Sequence, residues 1–362
     1  MRNRFAVFLG VLVLLGLYTG MRTAELFPEH WLAATAAPVL LVGFFVSWQI
    51  AYRNGSLPEE EGWARALAWT ASVGMGVWAT YLLLTVLAHP FPAAAAASSL
   101  LIAGLGFGQA VSGPRVKKIG VGVRALAPDL RGLRIAQISD LHVGPTIRRG
   151  HVERVVERVM ALEPDLIAIT GDMADGTVET LARHVEPLAR LRAPLGVYYV
   201  TGNHEYYWNA KDWLAKADEL GFIPLINENR VVSRGSARLL VGGVPDESGG
   251  HFLPGHEPDQ SRAAATGGFV DFRLLLAHRP DGVPEAERAG FDLQLSGHTH
   301  GGQFFPASLF IGLFHRYSRG LYRHEKMAVY VNPGTGYWGP AHRFAVPSEI
   351  TLLTLSRGEE KS

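Results

Sequence analysis

A run of 49 residues, Ala66 to Pro114, contains no Asp, Glu, Lys or Arg. Globular domains carry roughly 25% charged residues, so a run this long belongs in lipid or in a core. A bilayer core of about 30 Å takes roughly 20 apolar residues as one helix. Pro90 and Pro92 cannot both sit inside a regular helix, and they divide the run into spans 66–88 and 93–112. Phe5 to Met21 and Trp31 to Tyr52 are two further charge-free runs, which gives spans 5–21 and 31–52. The last span is the weakest, since its alanines and glycines make it only mildly hydrophobic, but small residues suit close helix packing in lipid. Arg2 and Arg4 precede the first run as they would in a signal peptide. No small-x-small cleavage site follows and more apolar spans come after, so the run reads as a span.

Charge confirms the division of the chain. Residues 1–112 hold 10 charged residues and residues 113–362 hold 57. The expected organisation is a membrane segment, 1–112, followed by one soluble domain, 113–362. With the N-terminus inside, Arg2, Arg4, Arg53, Arg65, Arg115, Lys117, Lys118 and Arg124 flank the inner face, and only Arg22 lies outside. That asymmetry places the soluble domain in the cytoplasm and the chain as a multi-pass protein of the cell's inner membrane. The spans show no buried ionisable residue, so transport chemistry is not indicated. A net charge of +1 gives no sign of a nucleic-acid partner. The absence of Cys excludes disulfides, thiolate zinc sites and a cysteine nucleophile.

From Leu133 onward, short apolar runs alternate with helical patterns. Strands are expected at 133–138, 165–170 and 197–201, with helices around 151–162, 178–191 and 210–220. Strands dominate afterwards, and 246–267 reads as a long surface loop. This order predicts an α/β domain with two packed mixed sheets and helices outside.

Each early strand runs into polar residues. These are Ser139-Asp140-Leu141-His142, Gly171-Asp172-Met173-Ala174-Asp175 and Gly202-Asn203-His204-Glu205. Later strands run into His278-Arg279 and Gly297-His298-Thr299-His300-Gly301-Gly302. Carboxyl ends of neighbouring strands in an α/β sheet converge on one crevice. The inventory delivered there is carboxylate, amide oxygen and imidazole, which suits a metal such as manganese, iron or zinc.

The ordered set DxH, GDxxD, GNHE, H and GHTH resembles the calcineurin-like metallophosphoesterase superfamily. The fuller strings ISDLHVG, TGDMADG, TGNHEYY and LSGHTHGGQ are most similar to its bacterial membrane-associated branch. The resemblance implies a four-layer αββα sandwich and two divalent metal ions. Asp140, His142, Asp172 and His300 would hold one ion. Asp172, Asn203, His278 and His298 would hold the other, with Asp172 bridging. It implies hydrolysis of a phosphoester by in-line attack of a metal-bound hydroxide, two cations stabilising attacking and leaving oxygens. His204 would protonate the leaving oxygen, and Asp175 would orient His204. Asp175 also suits an N-cap or Asx turn before Gly176.

Phosphoprotein phosphatases of this superfamily have Arg where this chain has Gly176. The lost phosphate clamp points to a phosphodiester or pyrophosphate, including a lipid-linked one. Arg148 and Arg149 are candidate substrate contacts; a solvated pair ahead of a helix is the plainer reading. Glu205 reads as a structural hydrogen-bond partner. The apolar cluster from Phe304 to Phe314 either packs under a loop or partner chain, or dips into the membrane. A phosphomonoesterase and a catalytically silent metal-binding scaffold are the competing functions.

Overall fold

The structure, a computed structural model, describes residues 2–53 and 62–358. The side chains of Arg2, Arg4 and Arg53, which enter the orientation argument, lie outside that description. The chain divides into two compact units. The first holds residues 1–112 together with Phe304–Ser308 and Trp338–Ala345; the second holds Gly113–Gln303, Leu309–Tyr337 and Val346–Ser362.

The first unit contains helices α1 (Arg2–Ala24), α2 (Trp31–Arg53), α3 (Gly62–Leu87) and α4 (Pro92–Val111). Among the described residues, three stretches are long and apolar enough to cross a membrane: Pro28–Val46, Gly62–Leu87 and Pro92–Val111. Gly10–Ala24 is a shorter apolar helix in the same search. Pro92 opens α4 in its first turn, where a missing N–H costs nothing.

Small residues make up much of the buried face of α3 and α4, beside a cluster of Val42, Met75 and Trp78. Ala95, Ser99, Ala103, Gly106 and Ala110 line the buried face of α4, whereas Leu100 and Leu101 are exposed. On α3, Ala64, Ala68, Ala71, Ser72 and Gly76 are buried. Small residues at three- and four-residue spacing let helix backbones approach closely, which is how helices associate in lipid.

The segment Trp338–Ala345 packs into this unit. Ser72 Oγ donates to the Gly339 carbonyl at 2.8 Å and accepts from Ala341 N at 2.7 Å. Arg343 N donates to the Gly106 carbonyl at 2.9 Å. The His342 ring fills the space a side chain would take at Gly106, since a Cβ there would lie 2.7 Å from ring atoms. Phe304 meets the His342 ring edge-on with centroids 6.0 Å apart, and Phe305 meets Phe344 at 6.2 Å.

The second unit opens with β1 (Arg115–Val123), β2 (Arg134–Ile138), α5 (Arg149–Met160), β3 (Leu166–Thr170), α6 (Val178–Val185) and β4 (Val197–Val200). It continues with α7 (Asn203–Tyr207), α8 (Ala210–Glu219), β5 (Ile223–Pro224), β6 (Glu228–Arg234), β7 (Ala237–Gly243), α9 (Gln260–Ala264) and β8 (Phe272–Leu276). It ends with α10 (Val283–Arg288), β9 (Leu293–Ser296), α11 (Ala307–Phe314), β10 (Gly320–His324), β11 (Met327–Val331) and β12 (Glu349–Arg357). One six-stranded sheet has the order β1-β12-β2-β3-β4-β5 and the other β10-β11-β9-β8-β7-β6. Both sheets are mixed. β2, β3 and β4 run parallel, and so do β7, β8, β9 and β11.

Inner faces of the two sheets share one core. Ile135, Leu166, Ala168 and Tyr198 from the first pack with Leu239, Phe272, Leu274 and Leu293 from the second. The outer face of the second sheet buries Leu240 and Leu275 with Ala263 of α9 and Val283 of α10. The result is the two-sheet, helix-flanked sandwich expected from the sequence.

Three details differ from the periodicity. The helix expected at 178–191 ends at Val185 and continues as a 3-10 turn through Arg190, with Pro187 in its first turn. The stretch 246–267 is not all loop: α9 forms there, capped by Asp259, whose carboxylate accepts from Arg262 N. Arg115 to Val123, read only as cations flanking a membrane, is an edge strand.

Candidate metal centre

Parallel strands align their carboxyl ends, and the polar residues of five loops meet at those ends. Three groups have ligand atoms close enough to share a cation: Asp140, His142 and His300; His142, Asp172 and His204; Asp172, His278 and His298. Asp172 belongs to two of them. Its Oδ2 lies 3.2 Å from His278 Nε2, 3.8 Å from His142 Nε2 and 3.9 Å from His204 Nε2. His300 Nε2 lies 3.3 Å from Asp140 Oδ1 and 3.0 Å from His142 Nε2. His298 Nδ1 lies 3.2 Å from His278 Nε2.

The backbone is bent to make this arrangement. Asp140, His142, Asp172, His298 and His300 all have positive φ, between 51° and 68°. Non-glycine residues adopt that region at a cost of order 1–3 kcal/mol each, and only where surrounding structure enforces it. Hydrogen bonds supply the enforcement. Asp140 accepts from Ser139 Oγ and from His298 N, and Asp172 Oδ1 accepts from His204 N at 2.9 Å. Buried Glu205 accepts from the backbone N–H groups of Gly202, Asp172 and Met173, tying two loops together.

Asp175 serves two rings. Its Oδ1 lies 2.5 Å from His204 Nδ1 and 3.0 Å from His142 Nδ1. Both contacts fix the far ring nitrogens toward Asp172.

Charge is concentrated and opposed. Burial would raise the Asp172 carboxyl, but His278, His204 and His142 hold it well below the ordinary range. Burial opposes ionisation of Asp140 and Asp175 too; the neighbouring imidazoles outweigh it in both. Burial works downward on His204, yet Asp172 and Asp175 lift it to about 10. His278 is lifted to about 10 against burial by Asp172 and Asp140. His298 goes the other way, pushed to about 3 by burial and by His278.

The donor set fits divalent cations. It is carboxylate and imidazole without thiolate, the mixture that suits manganese, iron or zinc. Asn203 adds an observation of its own. The residue is buried, and its Oδ1 has no hydrogen-bond partner. A buried amide oxygen without a donor is costly unless something positive meets it.

The two candidate substrate contacts pair with nearby residues. Arg149 pairs with Glu153 and Glu186, and Arg148 donates to the Pro145 carbonyl at 3.2 Å and meets His184 at 3.0 Å. Gly176 keeps its carbonyl on the Trp213 indole N–H at 3.0 Å.

Four further residues border the cluster. Arg279 follows His278 and donates to the buried Asp246 carboxylate at 2.8 Å. The exposed Tyr207 ring lies 5.3 Å from His204, and the His315 ring 6.2 Å from His298. Asp246 closes the loop after β7, so the rule that found the other strand-end residues would have found it too. Tyr207 lies three residues from His204 in α7, so helical spacing could have found it. His315 was a candidate for the cleft beside a plainer surface or core reading, and its ring does lie near His298.

The sequence pattern of the calcineurin-like phosphoesterase family matches residues 133–302. The transmembrane protein with metallophosphoesterase domain of Danio rerio is 37% identical over 268 residues, covering 71% of this chain and 61% of that protein. The Bos taurus protein of that name is 38% identical over 275 residues, covering 73% and 62%. This chain thus spans about three fifths of the length of those relatives. An uncharacterized metallophosphoesterase of Aquifex aeolicus is 33% identical over 250 residues, covering 67% of this chain and 91% of that protein. With a family match over the strand-end motifs and a relative aligned along nearly its whole length, this chain belongs to the calcineurin-like phosphoesterase family.

Proposed function

We propose that the protein is a dinuclear metal-dependent hydrolase of a phosphodiester or pyrophosphate carried on a lipid. Asp140, His142, Asp172 and His300 hold one divalent ion; Asp172, Asn203, His278 and His298 hold the other. The observation that carries this reading is Asp172. Its Oδ2 faces His142 of the first set at 3.8 Å and His278 of the second at 3.2 Å, as a bridging carboxylate would. Two divalent cations, when bound, supply charge neutralisation at the phosphoryl oxygens and activation of water near neutral pH.

The remaining work falls to this chain's own groups. His204 is held through Nδ1 by Asp175, whose carboxylate favours the protonated ring and leaves Nε2 to give a proton to the leaving oxygen. Asp175 keeps that ring in place and does the same for His142. Glu205 holds the loops of Asp172 and Asn203 at a fixed separation. Gly176 leaves no guanidinium at the place where a monoester clamp would stand, which supports a diester or pyrophosphate.

The protein is a multi-pass protein of the inner membrane with this site facing the cytoplasm. Support comes from the apolar helices, from cations clustered on one set of flanks, and from relatives named as transmembrane proteins.

The test uses the full chain in detergent, stripped of metal and reloaded with manganese. Hydrolysis of an aryl phosphodiester is compared with the matching monoester. Metal-dependent diester cleavage is expected, falling about 10²–10⁴-fold in His204→Ala. Cleavage of the monoester alone would make the protein a phosphomonoesterase. Two bound metals with no turnover of either aryl ester or of a lipid-borne diester would make it a silent scaffold.

A further inference from the structure

Helix α11, Ala-Ser-Leu-Phe-Ile-Gly-Leu-Phe over Ala307–Phe314, is apolar on every side and buries none of its residues. Leu313 and Phe314 are 80% and 78% exposed, and Leu309 is 63% exposed. A helix that is hydrophobic all round belongs inside a core or inside lipid. No core covers this one among the described residues.

Three observations identify the cover. The first is continuity. Ala307 and Ser308, the first residues of α11, belong to the unit of α1–α4. Just before them, Phe304 and Phe305 pack on His342 and Phe344. That segment is held by the bond from Arg343 N to the Gly106 carbonyl of α4. The chain therefore runs into α11 directly from the unit that holds the candidate membrane spans. The second is charge. From Leu293 to His324 there is no Asp or Glu, and exposed Arg316, Arg319 and Arg323 follow the helix. Cations beside an apolar helix suit anionic lipid headgroups. The third is aromatic content. Exposed Trp338 and the rings of Phe305, Phe310, Phe314 and Phe344 sit in these two segments. Aromatic residues concentrate where membrane meets water.

We infer that α11 lies in the interfacial layer of the bilayer, its leucines and phenylalanines among the acyl chains and its following arginines at the headgroups. His315 comes directly after the helix and reaches the His298 ring. This inference rests on the reading that α3 and α4 cross the membrane, and it supports an amphiphilic phosphoester as the substrate.

The chain has no Cys, so single cysteines can be placed without removing any. Leu313→Cys and Phe314→Cys sample α11, Leu101→Cys samples the exposed face of α4, and Lys326→Cys samples an exposed turn. Each full-chain variant, labelled with a bimane and reconstituted in vesicles of neutral and anionic phospholipid, is quenched by doxyl lipid or aqueous iodide. Labels at 313 and 314 are expected to be quenched by doxyl lipid several-fold more than the label at 326, approaching the label at 101. A label at 313 that behaves like 326 while 101 remains in lipid overturns the inference and leaves the membrane reading standing. Iodide quenching at 101 as well as 313 overturns both. Protection from both quenchers at 313 and 314 means a protein surface covers α11, which also overturns it. Agreement between the two adjacent positions guards against one perturbed label.

Discussion

Asp175 joins two imidazoles through one oxygen, and this gives it a different signature from the histidine it was expected to orient. Replacing His204 by Ala removes the proposed proton donor, which lies beside Asp172 and His142 but outside the proposed ligand set. Replacing Asp175 by Asn loosens His204 and the proposed ligand His142 together. We expect Asp175→Asn to weaken metal affinity about 10–100-fold, as loss of an outer partner does, along with turnover. His204→Ala should lower turnover while metal titration stays near the parent. Unchanged metal affinity in Asp175→Asn would show that its contact with His142 does nothing for the site. At this scale the residues that the structure gathers were legible, because each follows a strand and the parallel strands of both sheets bring their carboxyl ends to one cluster. The second role of Asp175 was not legible. It depends on the fold bringing residues 142 and 204 to within one carboxylate's reach.

Helix α5 shows what periodicity sees and what it misses. Val152, Val155, Val156 and Val159 recur at helical spacing and are buried, and the helix was expected from that pattern. The same face carries His151, buried, with Nε2 lacking a partner. Burial, with help from Arg154 and Arg158, depresses its pKa to about 4. The folded form then holds His151 neutral, whereas the unfolded chain takes up a proton below about 6.5. Stability from this group is complete above pH 6.5 and is lost as pH falls toward 4, by about 3 kcal/mol in all. Thermal melts of the full chain should show His151→Leu losing less stability than the parent between pH 7 and pH 4.5. Equal losses would mean His151 is protonated in the folded state. Strand β1 is the contrary case. Ile119, Val121 and Val123 alternate with glycines and pack on the core, a period-2 signal. The cations Arg115, Lys117 and Lys118 ahead of them suited a membrane flank equally well, and pairing with β12 shows the strand.

For the molecule as a whole, chain order and spatial order part company. Nothing in the local composition of Trp338–Ala345 announces that it packs with α3 and α4; its Gly339-Pro340 pair is ordinary turn composition. The fit is legible only from both sides, as a glycine at 106 and an imidazole at 342. Adding a methyl at Gly106 should cost about 1–3 kcal/mol through overpacking against that ring. Gly106→Ala should therefore lower the melting temperature of the full chain in detergent. The loss should shrink when His342→Ala is already present. Additive losses would mean that the ring and the glycine do not compete for the same space.

The order of strands in the first sheet has a consequence for synthesis. β1 emerges directly after α4, and its only partner among the described residues is β12, which runs parallel to it from Glu349. Ribosomes extend chains at about 5–20 residues per second, so some 225 residues and tens of seconds separate Val123 from Glu349. Throughout that interval β1 is an unpaired edge and the sheet has a missing member between β1 and β2. Translation past residue 357 is what lets the first sheet close. A nascent chain stalled before Glu349 should stay open to protease along β1 however well its earlier strands have formed.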